Sequence, residues 1–224
     1  MQVVAIGAIK GGVGKSTAAA NLALVAAESG LRTILWDLDR QGASCHLLDI
    51  ECVSPTAPQS RWFRKRPVFS DPVVSGHHPL LRVIPGGITT DVEQRVNALR
   101  ADADLVLLDL PAGLDGPVLG ALAVADQILV PVVASDLSLR AFDQLVRVTD
   151  GTRTRAFASM FDSTKRRHQE FHEQLQMGPR EVCSAVIPAA VEVERACEQR
   201  VPVTRAFPKG RAARAYRDLW AEIS

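Results

Sequence analysis

The stretch "IGAIKGGVGKST" (residues 6–17) decides how this chain is read. Gly11, Gly12 and Gly14 let the backbone wrap an anion with its N–H groups pointing inward. Helical periodicity begins near Lys15, so the positive end of a helix adds to that site. Lys15 is placed to reach β- and γ-phosphates, Ser16 to ligate Mg²⁺ and Thr17 to bond an α-phosphate, with Val13 inside the same loop. The motif carries a specific departure. Position 9, where the ordinary pattern has its first glycine, holds Ile9, and a second lysine, Lys10, stands at the mouth of the loop. Two ammonium groups approaching one phosphate from one side would repel. Lys10 therefore reads either as a solvated lysine at a strand end or as a cation that reaches the nucleotide of another subunit, as an arginine finger does.

Outward from the loop, short apolar runs alternate with helix-like segments. Strands are expected over 2–8, 32–38, 80–85, 103–110, 126–133, 155–161 and 182–188. The runs are near-continuous rather than alternating, the pattern of strands buried on both faces. Helical periodicity fits 15–29, 90–100, 136–149, 163–176 and 211–223, with Asp136 read as a helix cap. The expected fold is α/β: a doubly wound, mostly parallel sheet with helices on both faces, a P-loop NTPase fold, with ligands at the carboxyl ends of the strands. One domain spanning 1–224 suits the length. Residues 50–79, rich in Pro and Ser and containing "RWFRKR" (61–66), read as a surface excursion.

Composition narrows the function classes. Lys plus Arg number 26 and Asp plus Glu 25, so net charge is +1 and any grip on a polyanion must come from a local patch. Cys45, Cys52, Cys183 and Cys197 form no C-x-x-C pair, which signals neither a zinc ribbon nor a redox pair and disfavours an iron–sulfur ATPase. "MQVVAIGAIK" has no basic leader before its apolar run, and no apolar stretch approaches a membrane span. A cytoplasmic, reduced protein is expected.

Phosphoryl transfer needs a metal, a group that positions water and cationic charge on the phosphates. Asp37 and Asp109 end apolar runs, and Asp39 lies two residues beyond Asp37. Acids ending buried strands beside a phosphate loop supply the first two requirements; taken singly, each also reads as a strand-end carboxylate capping a helix.

"KGGVGKST" resembles the deviant Walker A motif of the ParA/MinD family of partitioning and positioning ATPases. "ILWDLDRQGAS" (34–44) is similar to that family's D-x-D-P-Q-G signature, with Arg40 in place of Pro, and "DLVLLDLPAG" (104–113) to its Walker B strand, with Ala112 where a second Pro is usual. The resemblance continues through "ALAVADQILVPVVASDLSLRAFDQL" (121–145) and "FPKGRAARAYRDL" (207–219), more like ParA than MinD. It implies an ATP- and Mg²⁺-dependent enzyme in which Lys10 crosses the interface of an ATP-sandwiched homodimer. Asp39 would orient the attacking water, and Asp37 and Asp109 would hold Mg²⁺ through water. "VIPAAVEVERA" (186–196) resembles the segment that reaches the adenine, so Asp162 and Pro188 become candidate base contacts, although Ala189 and Ala190 lack the family's common polar side chains. It also implies sequence-independent DNA binding on the nucleoid and a ParB-like or cargo-adaptor partner that stimulates hydrolysis. Nine residues precede Lys10, so no N-terminal helix-turn-helix domain is expected.

Three basic runs could meet DNA: Arg61, Arg64, Lys65 and Arg66; Lys165, Arg166 and Arg167; and Lys209 with Arg211, Arg214 and Arg217. The last is favoured, because spacing by three lines one side of a helix. Trp62 and Phe63 could stack on bases, or anchor their loop to the core. On the same terminal helix Ala212, Ala215, Tyr216, Leu219, Trp220 and Ile223 share a face, read as docked on the body rather than on a membrane. The rival reading is a biosynthetic ligase of the same superfamily, dethiobiotin-synthetase-like, which would activate a carboxylate and need neither DNA nor cargo.

Overall fold

A computed structural model of the chain describes residues 1–51, 73–75, 77–87, 91–149, 152–177 and 180–224. Seven strands form one parallel sheet: β1 (Gln2–Ile6), β2 (Thr33–Asp37), β4 (Leu81–Ile84), β5 (Leu105–Asp109), β6 (Gln127–Val132), β7 (Arg153–Phe161) and β8 (Glu181–Pro188). A two-residue strand, β3 (Val73–Val74), joins the β4 edge in antiparallel sense, giving the order β3-β4-β2-β5-β1-β6-β7-β8. β1, β2, β5 and β6 are buried almost throughout, which is why their sequences show no alternation.

Helices cover both faces. On one side lie α1 (Lys15–Glu28), α2 (Ala43–Leu47), α7 (Val191–Glu198), α8 (Val203–Ala206) and α9 (Arg211–Ile223), sharing a core with Leu22, Phe157 and Trp220. On the other lie α3 (Val92–Ala98), α4 (Gly116–Ala123), α5 (Asp136–Val148) and α6 (Arg166–Gln176), packed around Leu122, Phe142 and Leu175. α1 is apolar nearly all round because it is clamped between the sheet and α2, α8 and α9. The face of α9 expected to dock does so, with Ala212, Ala215, Tyr216, Leu219, Trp220 and Ile223 all buried. Among the described residues no helix is long and apolar enough to cross a membrane.

Several details differ from the sequence reading. The cap of α5 is Ser135, whose hydroxyl accepts from the Ser138 N–H; Asp136 is the first helical residue. α4 goes unread in "GPVLGALA" because its glycines and proline break helical periodicity, yet Asp115 caps it by accepting from the Val118 N–H. The excursion over 50–79 ends in β3, and its 61–66 basic run, with Trp62 and Phe63, lies outside the described residues.

The outer strand β8 is irregular: its register against β7 slips between Val182 and Val186. At that bulge the N–H groups of Ser184 and Ala185 both donate to the carboxylate of Glu222 on α9, each at 2.7 Å.

Candidate phosphate and metal site

The loop leaves β1 and enters α1 through Gly12 at φ 72° and Gly14 at φ 93°, a left-handed conformation that side chains rarely adopt. Gly14 is the cap position of α1, and among the described residues no side-chain cap bond closes the first turn. The helix therefore presents unspent N–H groups and the positive end of its dipole at the carboxyl edge of the sheet. The loop is braced from β7: the buried Ser159 hydroxyl donates to the Val13 carbonyl at 2.9 Å. A β-carbon at Gly14 would sit 3.0 Å from that hydroxyl, which would have to give way slightly, so crowding adds to the constraint set by φ. Next along β7, Met160 holds a left-handed φ of 52° with its thioether beside Gly14. Neither Ser159 nor Met160 is visible in the sequence, because both lie within an ordinary strand-like run.

Lys15 is buried, and desolvation pulls its ammonium pKa down against the raising effect of Asp109 and Asp39. Thus the structure brings Lys15, Asp39 and Asp109 together. Asp37 and Asp109 end adjacent strands in direct register and are both fully buried. Their oxygens are used differently. Asp37 accepts from the Asp39 N–H at 3.1 Å on one oxygen and from the Cys45 N–H at 3.0 Å on the other, so it pins the 38–45 turn. Neither oxygen of Asp109 has a hydrogen-bond partner among the described residues. Burial, with the Asp37 carboxylate next to it, pushes the Asp109 carboxyl up to about 7, while the nearby Ser16 and Ser44 hydroxyls pull it down. Burial likewise raises Asp37, opposed by the Cys45 N–H.

An orphaned buried carboxylate beside the Ser16 hydroxyl and a second acid is a hard oxygen set, suited to Mg²⁺ that keeps most of its waters and takes the rest of its shell from phosphates. No group of three or more His, Cys, Asp or Glu side chains that could hold a metal alone occurs among the described residues. Asp39 is half-buried at the rim, and one of its oxygens accepts from the Gln41 N–H at 3.0 Å. Arg40 is exposed, its stem lying over Gly87, where a β-carbon would meet Arg40 Cγ at 2.7 Å.

Lys10 is half-exposed at the mouth of the loop and makes no hydrogen bond or ion pair with the described residues. Its neighbour Ile9 packs against the core on the α5 side, which accounts for an apolar residue at a loop mouth. Asp162 and Pro188 come together at the carboxyl ends of β7 and β8, where the Ala189 N–H donates to the Phe161 carbonyl. The Asp162 carboxylate is already engaged: it accepts from the Thr164 N–H and hydroxyl and pairs with Lys165, which holds it down at about 2.

The basic helix divides. Arg211 and Arg214 are exposed, as is Lys209 just before them. Arg217 turns inward instead, donating to the Pro208 carbonyl at 2.7 Å and the Thr204 carbonyl at 3.0 Å. Of the expected trio, then, Arg217 has its guanidinium committed to the body. In the other described run, Lys165 and Arg166 pair with Asp162 and Glu170.

Comparison with known proteins agrees with this geometry. Residues 4–203 match the CobQ/CobB/MinD/ParA nucleotide-binding domain. The chain is 30% identical to the chromosome-partitioning ATPase Soj of Thermus thermophilus over 246 residues, covering 98% of this chain and 94% of that protein. In structure it superposes on the MinD cell division protein of Aquifex aeolicus with a TM-score of 0.79 at 21% identity, covering 100% of this chain and 96% of that one. It also matches MinD of Pyrococcus horikoshii, solved with Mg-ADP, with a TM-score of 0.77 at 17% identity over 100% of this chain and 96% of that one. The family match over residues 4–203 and the full-length similarity to Soj show that the chain belongs to the ParA/MinD/Soj family of nucleotide-binding partitioning ATPases.

Proposed function

We propose that the protein is a ParA-type ATPase that binds ATP with Mg²⁺, closes into a nucleotide-sandwiched homodimer, binds DNA without sequence preference and positions a cargo. The observation that carries this reading is Lys10. It stands at the loop mouth with no partner among the described residues while Lys15 already fills its own phosphate site. A cation so placed is free to act on the nucleotide of a second copy.

Lys15 and the N–H groups of the loop grip the phosphates. Ser16, Asp109 and, at one remove, Asp37 hold the cation, which supplies charge neutralisation on the phosphates when bound. Asp39 orients the lytic water, and because its N–H is anchored on Asp37, the water-positioning group is fixed relative to the metal acids. Lys10 of the second copy stabilises charge developing on the phosphates. Asp162 and Pro188 flank the base, with Asp162 offering mainly backbone. Lys209, Arg211 and Arg214 supply phosphate-backbone contacts, doubled by dimerisation. A partner protein on the cargo triggers hydrolysis and release; the cargo role itself follows the chromosome partitioning in the names of several relatives. In this reading the protein is cytoplasmic and nucleoid-associated, and residues 1–224 act as one domain.

The test is ATP turnover with and without nonspecific DNA, read together with ATP-dependent sedimentation. DNA-stimulated turnover by an ATP-induced dimer is expected. Turnover that instead requires a small carboxylate substrate, by a chain that stays monomeric, would favour the biosynthetic ligase.

A further inference from the structure

Between the two buried acids stands a hydroxyl that no motif assigns. Ser44, the second residue of α2, is completely buried, and its Oγ has no hydrogen-bond partner among the described residues. Its position is set on both sides. Gly42 turns the chain at φ 63° before it, and the Cys45 N–H binds Asp37 after it. This seats Ser44 against the carboxyl ends of β2 and β5, where its hydroxyl lies near Asp37 and Asp109, and electrostatically it acts on both.

A buried hydroxyl without a partner is uncommon, and here it adjoins a buried carboxylate that also has none. The two orphans answer one another. A serine hydroxyl has one proton to give and lone pairs to receive with, whereas an ionised carboxylate only receives. Each Asp37 oxygen already accepts one N–H, whereas neither Asp109 oxygen accepts any among the described residues, so Asp109 is the acceptor with more to gain from Ser44. We propose that Ser44 is a positioning residue for the metal: its hydroxyl holds the Asp109 carboxylate in the orientation that receives a hydrated divalent cation. Ser44 touches the acid and not the ion. The proposal rests on the reading of the site as a Mg²⁺-nucleotide centre. Removing a group that orients a metal-holding side chain typically weakens metal affinity by about 10–100-fold.

The test is binding of a fluorescent ADP analogue to Ser44→Ala, once in EDTA and once across a Mg²⁺ titration. In EDTA the affinity should stay within about twofold of the parent, because Lys15 and the loop are untouched, while the Mg²⁺ midpoint should rise by about tenfold. In an Asp109→Asn background the same change should have no further effect on the midpoint, since Ser44 acts through Asp109. Ser44→Cys, a similar volume with a weaker donor, should shift the midpoint in the same direction and serves should the alanine variant fail to fold. A parent-like Mg²⁺ midpoint, or an equal loss with and without Mg²⁺, overturns the proposal and leaves the ATPase reading standing. A parent protein that binds ADP identically in EDTA and Mg²⁺ brings down both.

Discussion

The Ser159 hydroxyl and the Val13 carbonyl, 146 positions apart in the chain, are joined by a buried hydrogen bond of 2.9 Å. That bond fixes the phosphate loop against β7, so loop geometry depends on a residue far from the motif. Ser159→Ala should leave the fold intact, cost about 1 kcal/mol in stability and weaken ADP binding severalfold by loosening the loop. Gly14→Ala should be more severe, because it meets both the left-handed φ and the Ser159 hydroxyl at 3.0 Å. Its nucleotide binding should be lost while circular dichroism remains native-like. Calorimetric titration of ADP into the two variants checks both.

Lys10→Ala should abolish ATP hydrolysis yet retain nucleotide binding, since Lys15 and the loop amides remain. Mixing it with an Asp39→Ala chain should restore part of the turnover, because mixed dimers would hold one intact Lys10 facing an intact Asp39. Full parental turnover by Lys10→Ala alone would contradict an intersubunit role.

Asp39→Ala should trap an ATP-bound dimer. The change removes the group that positions water and leaves the phosphate grip intact. Gel filtration in ATP and Mg²⁺ should show a persistent dimer, and a monomer under those conditions would refute the assignment.

Replacing Arg211 and Arg214 with alanine should weaken DNA binding most at low salt, with basal ATPase nearly unchanged. Each lost phosphate contact should flatten the slope of log affinity against log salt by about 0.9. Arg217→Ala should instead lower thermal stability, because it removes the donor that satisfies the Thr204 and Pro208 carbonyls. Salt titrations by fluorescence anisotropy, with melting curves alongside, separate the two effects.

Acid stability should report on Asp104. Its carboxylate accepts from the Arg32 side chain and backbone N–H, which holds it at about 2 against an ordinary 3.8. The folded state thus favours the ionised form. Its contribution is present above the ordinary value and is lost as pH falls toward 2. Asp104→Asn should lower the melting temperature at pH 7 and flatten its dependence on pH between about 4 and 2. Melting curves across that range decide it.

The central strands β1, β2, β5 and β6 were legible because they are buried almost throughout and so read as unbroken apolar runs; "LVLLD" in β5 could hardly be anything else. Strand-end acids were legible for the same reason, since Asp37 and Asp109 interrupt such runs where the chain must leave the sheet. Residues whose role is purely spatial were not legible. Ser44 and Ser159 carry no spacing that marks them, and only the fold brings one against Asp109 and the other beneath Val13. Arg217 shows the limit of helical spacing. Three arginines separated by three span a sector wide enough that the last reaches the turn before α9. The short helices α2 and α8 lack even two turns over which periodicity could show.

The carboxylate that Glu222 lends to β8 bears on solubility. An outer strand with two adjacent free amide protons is a template on which another chain's strand can lay itself. In this molecule that template is masked by a side chain from α9. Trimming or fraying the end of α9 would therefore do more than loosen a helix. It would uncover a sticky seam, and a protein whose proposed work requires copies to meet face to face and part again would acquire a second, sideways mode of meeting with no nucleotide to reverse it.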